Sequence, residues 1–138
     1  MKRNCGQRAE RNIERITSEI LCAELSLVSD YLYFEVLYEN DYPELSELFE
    51  GFGREHAKNM RAFKMRESRN VHTSTKPLQA LSTVCDVIGE LIGKERELKL
   101  LYERLYLICG ASELERGIKE ILRASDSRLS ILENIRKS

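Results

Sequence analysis

Glu24, His56, Glu95, Glu97, Ser125 and Arg128 fall on or beside runs of apolar residues. Glu24 comes four residues after Ile20 and three before Leu27, and His56 sits midway between Phe52 and Met60. Glu95 is four after Leu91 and three before Leu98, with Glu97 nearer the edge of that stripe. Ser125 is four after Ile121, and Arg128 is four before Leu132. An ionised carboxylate on an apolar face is costly unless it is paired, protonated or bound to a metal. Two chemistries answer that cost. One is a carboxylate and histidine site for a pair of metal ions, built from facing helices. The other is a buried ion-pair network in which Arg128 counters Glu24 and Glu95. A guanidinium stays charged and cannot ligate a metal, so Arg128 speaks for the network. His56 alone is more ordinarily a satisfied core histidine than a ligand.

The elements that must hold these residues are helical. From about Arg8 to Asn40, apolar residues recur at Ile13, Ile16, Ile20, Leu27, Tyr31, Phe34 and Tyr38, a helical spacing rather than a strand alternation. A second block runs from Pro43, placed at a first helical turn with Asp41 as a nearby cap, to about Ser68. Gly51 and Gly53 inside it point to close packing or a bend. Arg69 to Pro77 is a connector, and Leu78 to Ile108 a third block. Gly110 is a stop signal, and Ser112 with Glu115 resembles a capping box for a fourth block, Glu113 to Arg136. Four amphipathic helices in 138 residues read as an all-α four-helix bundle, one domain over 1–138. Tight links make the first two and last two helices antiparallel hairpins. The middle connector suits either a crossover or an ordinary up-down loop.

Composition removes several classes of function. Lys and Arg number 22 against 23 Asp and Glu, a net charge of −1, so no global positive field awaits nucleic acid or an anionic membrane. Lys2, Arg3, Arg8, Arg11 and Arg15, and Lys58, Arg61, Lys64 and Arg66, are interleaved with glutamates and read as solvated faces. No 18-residue apolar run spans a bilayer, and the basic start has no apolar segment behind it. Cys5, Cys22, Cys85 and Cys109 form no CxxC motif and read as reduced thiols of a cytoplasmic protein. The six tyrosines read as packing, and Glu95/Lys99 and Glu115/Lys119 as surface pairs.

Glu24 followed seven later by Tyr31, then Tyr42-Pro43-Glu44-Leu45, then Arg54-Glu55-His56-Ala57, resembles the first helix pair of ferritin-like proteins, and most nearly the rubrerythrin group. Gly93, Glu97 and Tyr102, and the run Arg123 to Arg128, are placed like the second pair. The resemblance covers about residues 10 to 135. It implies a ferritin-like four-helix bundle with a crossover between helices two and three, and a homodimer. Each helix pair of that family supplies a glutamate from its first helix and a Glu-x-x-His from its second. Glu24 takes the first role, and Glu97 the helix-three role, although periodicity favours Glu95. Lys94 occupies what is a further ligand position in rubrerythrins. Aligned on Arg54-Glu55-His56-Ala57, His56 is the histidine and Gly53 replaces the glutamate. Aligned without gaps from Pro43, His56 replaces the glutamate and Asn59 the histidine. On helix four the pair becomes Ser125-x-x-Arg128.

The resemblance thus leads to a degenerate di-iron site and a non-catalytic binding or assembly module that needs no cofactor. The alternative is an oxidoreductase or iron-handling protein with a reduced, mononuclear site for iron or another divalent metal. Its ligands would be Glu24, His56 and Glu97, with Glu55 and Glu95 as further candidates. A homodimer is the expected partner, without membrane or nucleic acid.

Overall fold

The computed structural model describes residues 2–64, 83–109 and 113–138, and the side chains within 11–62, 83–109 and 115–138. Four helices account for them: α1 (Lys2–Leu37), α2 (Pro43–Lys64), α3 (Val84–Cys109) and α4 (Glu113–Lys137). α1 starts earlier than its apolar stripe and ends three residues sooner than Asn40. The chain then turns through Tyr38 to Asp41, where Tyr42 N–H still reaches the Tyr38 carbonyl at 2.8 Å. Pro43 opens α2, where its missing N–H costs nothing. Asp41 does not cap it. Tyr42 holds that position, its carbonyl accepting from Ser46 N–H at 2.9 Å. α3 begins at Val84 rather than Leu78, with Thr83 as its cap: the Thr83 hydroxyl accepts from Asp86 N–H at 3.1 Å. The connector 69–77, the end of the second block after Lys64, Leu78 to Ser82 and the Ser112 cap lie outside the described residues.

Side-chain pairings fix the directions. Tyr31 meets Glu95 and Tyr102 meets Glu24, so α1 and α3 are antiparallel. Glu24 meets His56 while Glu35 meets Ser46, so α1 and α2 are antiparallel. Arg96 meets Glu133, and Tyr106 meets Glu115, so α3 and α4 are antiparallel too. α2 and α3 therefore run parallel, and Lys64 and Val84 lie at opposite ends of the bundle. This is the arrangement a crossover demands.

One apolar core joins the helices, including Ile20, Leu27 and Phe34 of α1, Phe49 of α2, Leu91 and Leu98 of α3, and Ile118 and Leu132 of α4. Removing such side chains from water contributes about 1.5–3 kcal/mol each. Gly53 explains one glycine of α2, because a Cβ there would stand 3.4 Å from Tyr31 Cβ. Gly51 has open space instead. Among the described residues, no helix is long and apolar enough to cross a membrane.

Candidate functional site

At mid-bundle the apolar core is interrupted by Glu24, His56, Glu95, Ser125 and Arg128, all buried. Each helix contributes at least one, because each residue falls on its helix's inward stripe. His56 lies between two carboxylates. Its Nδ1 meets Glu24 Oε1, and its Nε2 meets Glu95 Oε2 at 2.9 Å. Where both carboxylates are ionised they only accept, so both ring nitrogens then donate and the ring is an imidazolium. Burial works against that charge, but the bonds to Glu24 and Glu95 outweigh it and hold His56 above the ordinary histidine range. The ring also stacks on Tyr31, centroids 5.6 Å apart and planes 11° apart. Phe49 and Phe52 pack against the same tyrosine.

Arg128 is the second cation. Its Nε donates to Glu95 Oε2 at 2.9 Å, and its Nη1 donates to Glu55 Oε2 at 3.0 Å. Burial opposes its charge, whereas Glu95 and Glu55 favour it, and its basicity rises. Burial likewise works against an ionised Glu95, but His56 and then Arg128 outweigh it and hold the carboxyl below its usual range. Two buried carboxylates thus face two buried cations, with Glu55 at the solvent end.

Two tyrosines complete the cluster. Tyr31 donates to Glu95 Oε2 at 2.9 Å, and Tyr102 donates to Glu24 Oε2 at 2.5 Å. Burial first, then the adjacent carboxylate, pushes both phenols up and keeps them protonated. These tyrosines pack and hydrogen-bond, as tyrosines in a helix stripe are expected to; what sequence reasoning did not name is the partner, a carboxylate of the cluster. A signal existed: Tyr102 follows Glu95 by seven residues, as Tyr31 follows Glu24, which puts each pair two turns apart on one helix face. Glu95 Oε2 receives three donors, whereas Glu95 Oε1, also buried, has none among the described residues.

Other anticipated residues stand elsewhere. Glu97 is exposed on α3 and does not reach the cluster; Glu95 takes the interior place, as the periodicity required. Glu55 is exposed and enters only through Arg128. Asn59 is half-buried beyond the cluster. Lys94 turns to α1, donating to Ser26 Oγ at 2.7 Å and pairing with the buried Asp30. The Glu95/Lys99 surface pair does not form, because Glu95 points inward and Lys99 pairs with Asp126 at 2.7 Å. Glu115 and Lys119 do approach, at 3.6 Å. Cys22, Cys85 and Cys109 form no disulfide among the described residues; the side chain of Cys5 lies outside them.

A resident metal pair, of the kind ferritin-like folds carry, does not fit this donor set. Neither imidazole nitrogen has a lone pair to offer while the ring donates to both sides. The carboxylates lie on opposite sides of the ring instead of converging. Among the described residues, no group of three or more His, Cys, Asp or Glu side chains is arranged to hold a metal ion. Each unit charge of a cation 4 Å from the guanidinium would meet about 4 kcal/mol of repulsion at an effective dielectric near 20.

No protein-family model matches the chain, and no curated protein sequence does. Among solved structures, the di-iron bacterioferritin of Desulfovibrio desulfuricans is similar, with a TM-score of 0.82 at 18% identity over 95% of this chain and 81% of that one. With the antiparallel pairs and the parallel α2 and α3, this likeness establishes the architecture: the chain folds as a ferritin-like four-helix bundle.

Proposed function

We propose that this chain is a ferritin-like protein whose di-iron site is degenerate, and that it serves as a non-catalytic binding or assembly module. The observation that carries the reading is the Arg128 guanidinium on Glu95, 2.9 Å from Nε to Oε2. With the imidazolium of His56, it supplies as protein charge what bound cations supply in a metal-loaded bundle. The departure of Ser125-x-x-Arg128 from Glu-x-x-His supports the same conclusion, as does the loss of an intact pair around His56. Affinity to the rubrerythrin group belongs to this proposal and rests on the residues of the first helix pair.

A role in assembly gains support from the outer face of α1, where Leu32, Tyr33, Val36 and Leu37 are each about half exposed or more. A homodimer in the cytoplasm, its thiols reduced, completes the proposal. Light scattering on the purified chain tests the dimer, and a monomer at micromolar concentration refutes it.

The competing reading retains one divalent ion on Glu24, His56 and a helix-three glutamate, with iron-handling or oxidoreductase activity. The buried, donorless Glu95 Oε1 favours it, since such an oxygen can still accept a cation. It requires His56 to release one bond and Arg128 to leave Glu95. One experiment separates the readings: metal analysis of protein produced in iron- and zinc-supplemented medium. Substoichiometric metal is expected. One ion per chain, lost in Glu95→Ala, establishes the competing reading, and two ions per chain overturn the degenerate site altogether.

A further inference from the structure

The four helices do not close on one another equally. Among the described residues, close backbone approach joins α1 to α2, α1 to α3 and α3 to α4, while α2 and α4 make no comparable approach. One cleft borders that open side, and a second lies on α2. The first, of about 630 Å³ at the bundle end, is bordered by Leu45 and Leu48 of α2, Val84 of α3 and Ile135 of α4. The second, of about 430 Å³, follows α2 from Glu44 past Gly51 and Phe52 to Glu55. It ends where Glu55 bonds Arg128 across the seam at 3.0 Å. Across the seam between α2 and α4, a charged side chain reaches out from the buried cluster to a half-exposed acid.

We infer that the seam between α2 and α4 is the entrance to the buried Glu24–His56–Glu95 cluster, and that the Arg128–Glu55 bridge is its latch. What the entrance admits is small, polar and uncharged, since the interior behind it balances its carboxylates against His56 and Arg128: water and molecules the size of a small amide. One guanidinium both neutralises Glu95 and closes the way to it. Its release from Glu55 frees α4 to move from α2 without breaking any of the three packed helix contacts. This rests on the geometry of the cluster and not on the proposed loss of metal, so either can fail without the other.

Native-state thiol labelling tests it. Ser125 is 3% exposed, one turn before Arg128 on α4, so Ser125→Cys places a thiol behind the latch. Iodoacetamide labelling, followed residue by residue with peptide mass spectrometry, separates it from the native cysteines. Adding Glu55→Gln removes an exposed acid without disturbing the core, and should speed labelling at position 125 about fivefold or more. Glu133→Gln, which breaks the exposed Arg96–Glu133 pair of α3 and α4, should leave the rate within about twofold. The latch is refuted if Glu55→Gln changes the rate less than about twofold or if Glu133→Gln accelerates it equally. It is also refuted if labelling of the parent Ser125→Cys chain proceeds only at the rate of global unfolding.

Discussion

The two helix pairs supply the same acids and the same tyrosines but different cations. α1 presents Glu24 and Tyr31, α3 presents Glu95 and Tyr102, and each tyrosine bonds the glutamate of the other helix. The frame is therefore close to two-fold symmetric. Between these helices, α2 places His56, which spans both carboxylates, whereas α4 places Arg128, which bonds only Glu95 and then leaves for Glu55. The consequence is visible on the two acids. Both oxygens of Glu24 have a donor, while Glu95 has three on one oxygen and none on the other. The two halves of the frame carry matching acids, and what balances them differs. The chemistry of the centre is decided by α2 and α4.

The comparison is broken most severely at Arg128. Arg128→Met keeps much of the buried volume but leaves Glu95 with His56 as its only cation. Breaking a buried pair on one side costs about 3–5 kcal/mol, and urea unfolding should show a loss of that size. A loss under about 1 kcal/mol would mean that Glu95 is not held as an anion, and α4 would then contribute no more than packing.

The tyrosines sharpen it. Tyr102→Phe leaves Glu24 Oε2 without its donor, and a hydrogen bond to a charged group is worth about 1.5–3 kcal/mol. Tyr31→Phe removes one of three donors from Glu95 Oε2, so its cost should fall lower, near about 1 kcal/mol. Equal costs would show that the asymmetry between the two acids has no energetic counterpart.

How much of this was legible in the sequence follows the same division. Periodicity of 3.6 residues placed four helices and put Glu24, His56, Glu95 and Arg128 inward, because each sits among apolar neighbours at helical spacing. The same periodicity preferred Glu95 to Glu97, and the structure puts Glu95 inside and Glu97 outside. Pairing was not legible. Which helix faces which depends on tertiary packing, so the reach of Arg128 to Glu55 and the turn of Lys94 toward Asp30 carried no local signal. Helix ends were misjudged at the caps: Thr83 caps α3, which starts at Val84, and Tyr42 rather than Asp41 holds the cap position of α2. Gly51 and Gly53 looked alike in sequence, yet only Gly53 lies against Tyr31.

The smallest effect separates the two cations by pH. Arg128 keeps its charge at every accessible pH, but His56 does not. The bonds to Glu24 and Glu95 raise His56 above its unfolded value of about 6.5 despite its burial. The stability it contributes is therefore complete below about pH 6.5 and is lost as pH rises through the raised folded-state value. Glu95 acts in the opposite sense. It is held low in the folded chain, so its contribution is complete above about pH 4.3 and is lost as pH falls through its depressed value. Stability should be greatest between these limits and decline on the alkaline side. Urea titrations from about pH 5.5 to 9.5 should show that decline in the native chain and not in His56→Gln, which cannot carry the charge. A native profile as flat as the variant's would make the ring neutral and one nitrogen an acceptor. One carboxylate beside it would then have to carry a proton, and Arg128 would be the only buried cation at the centre.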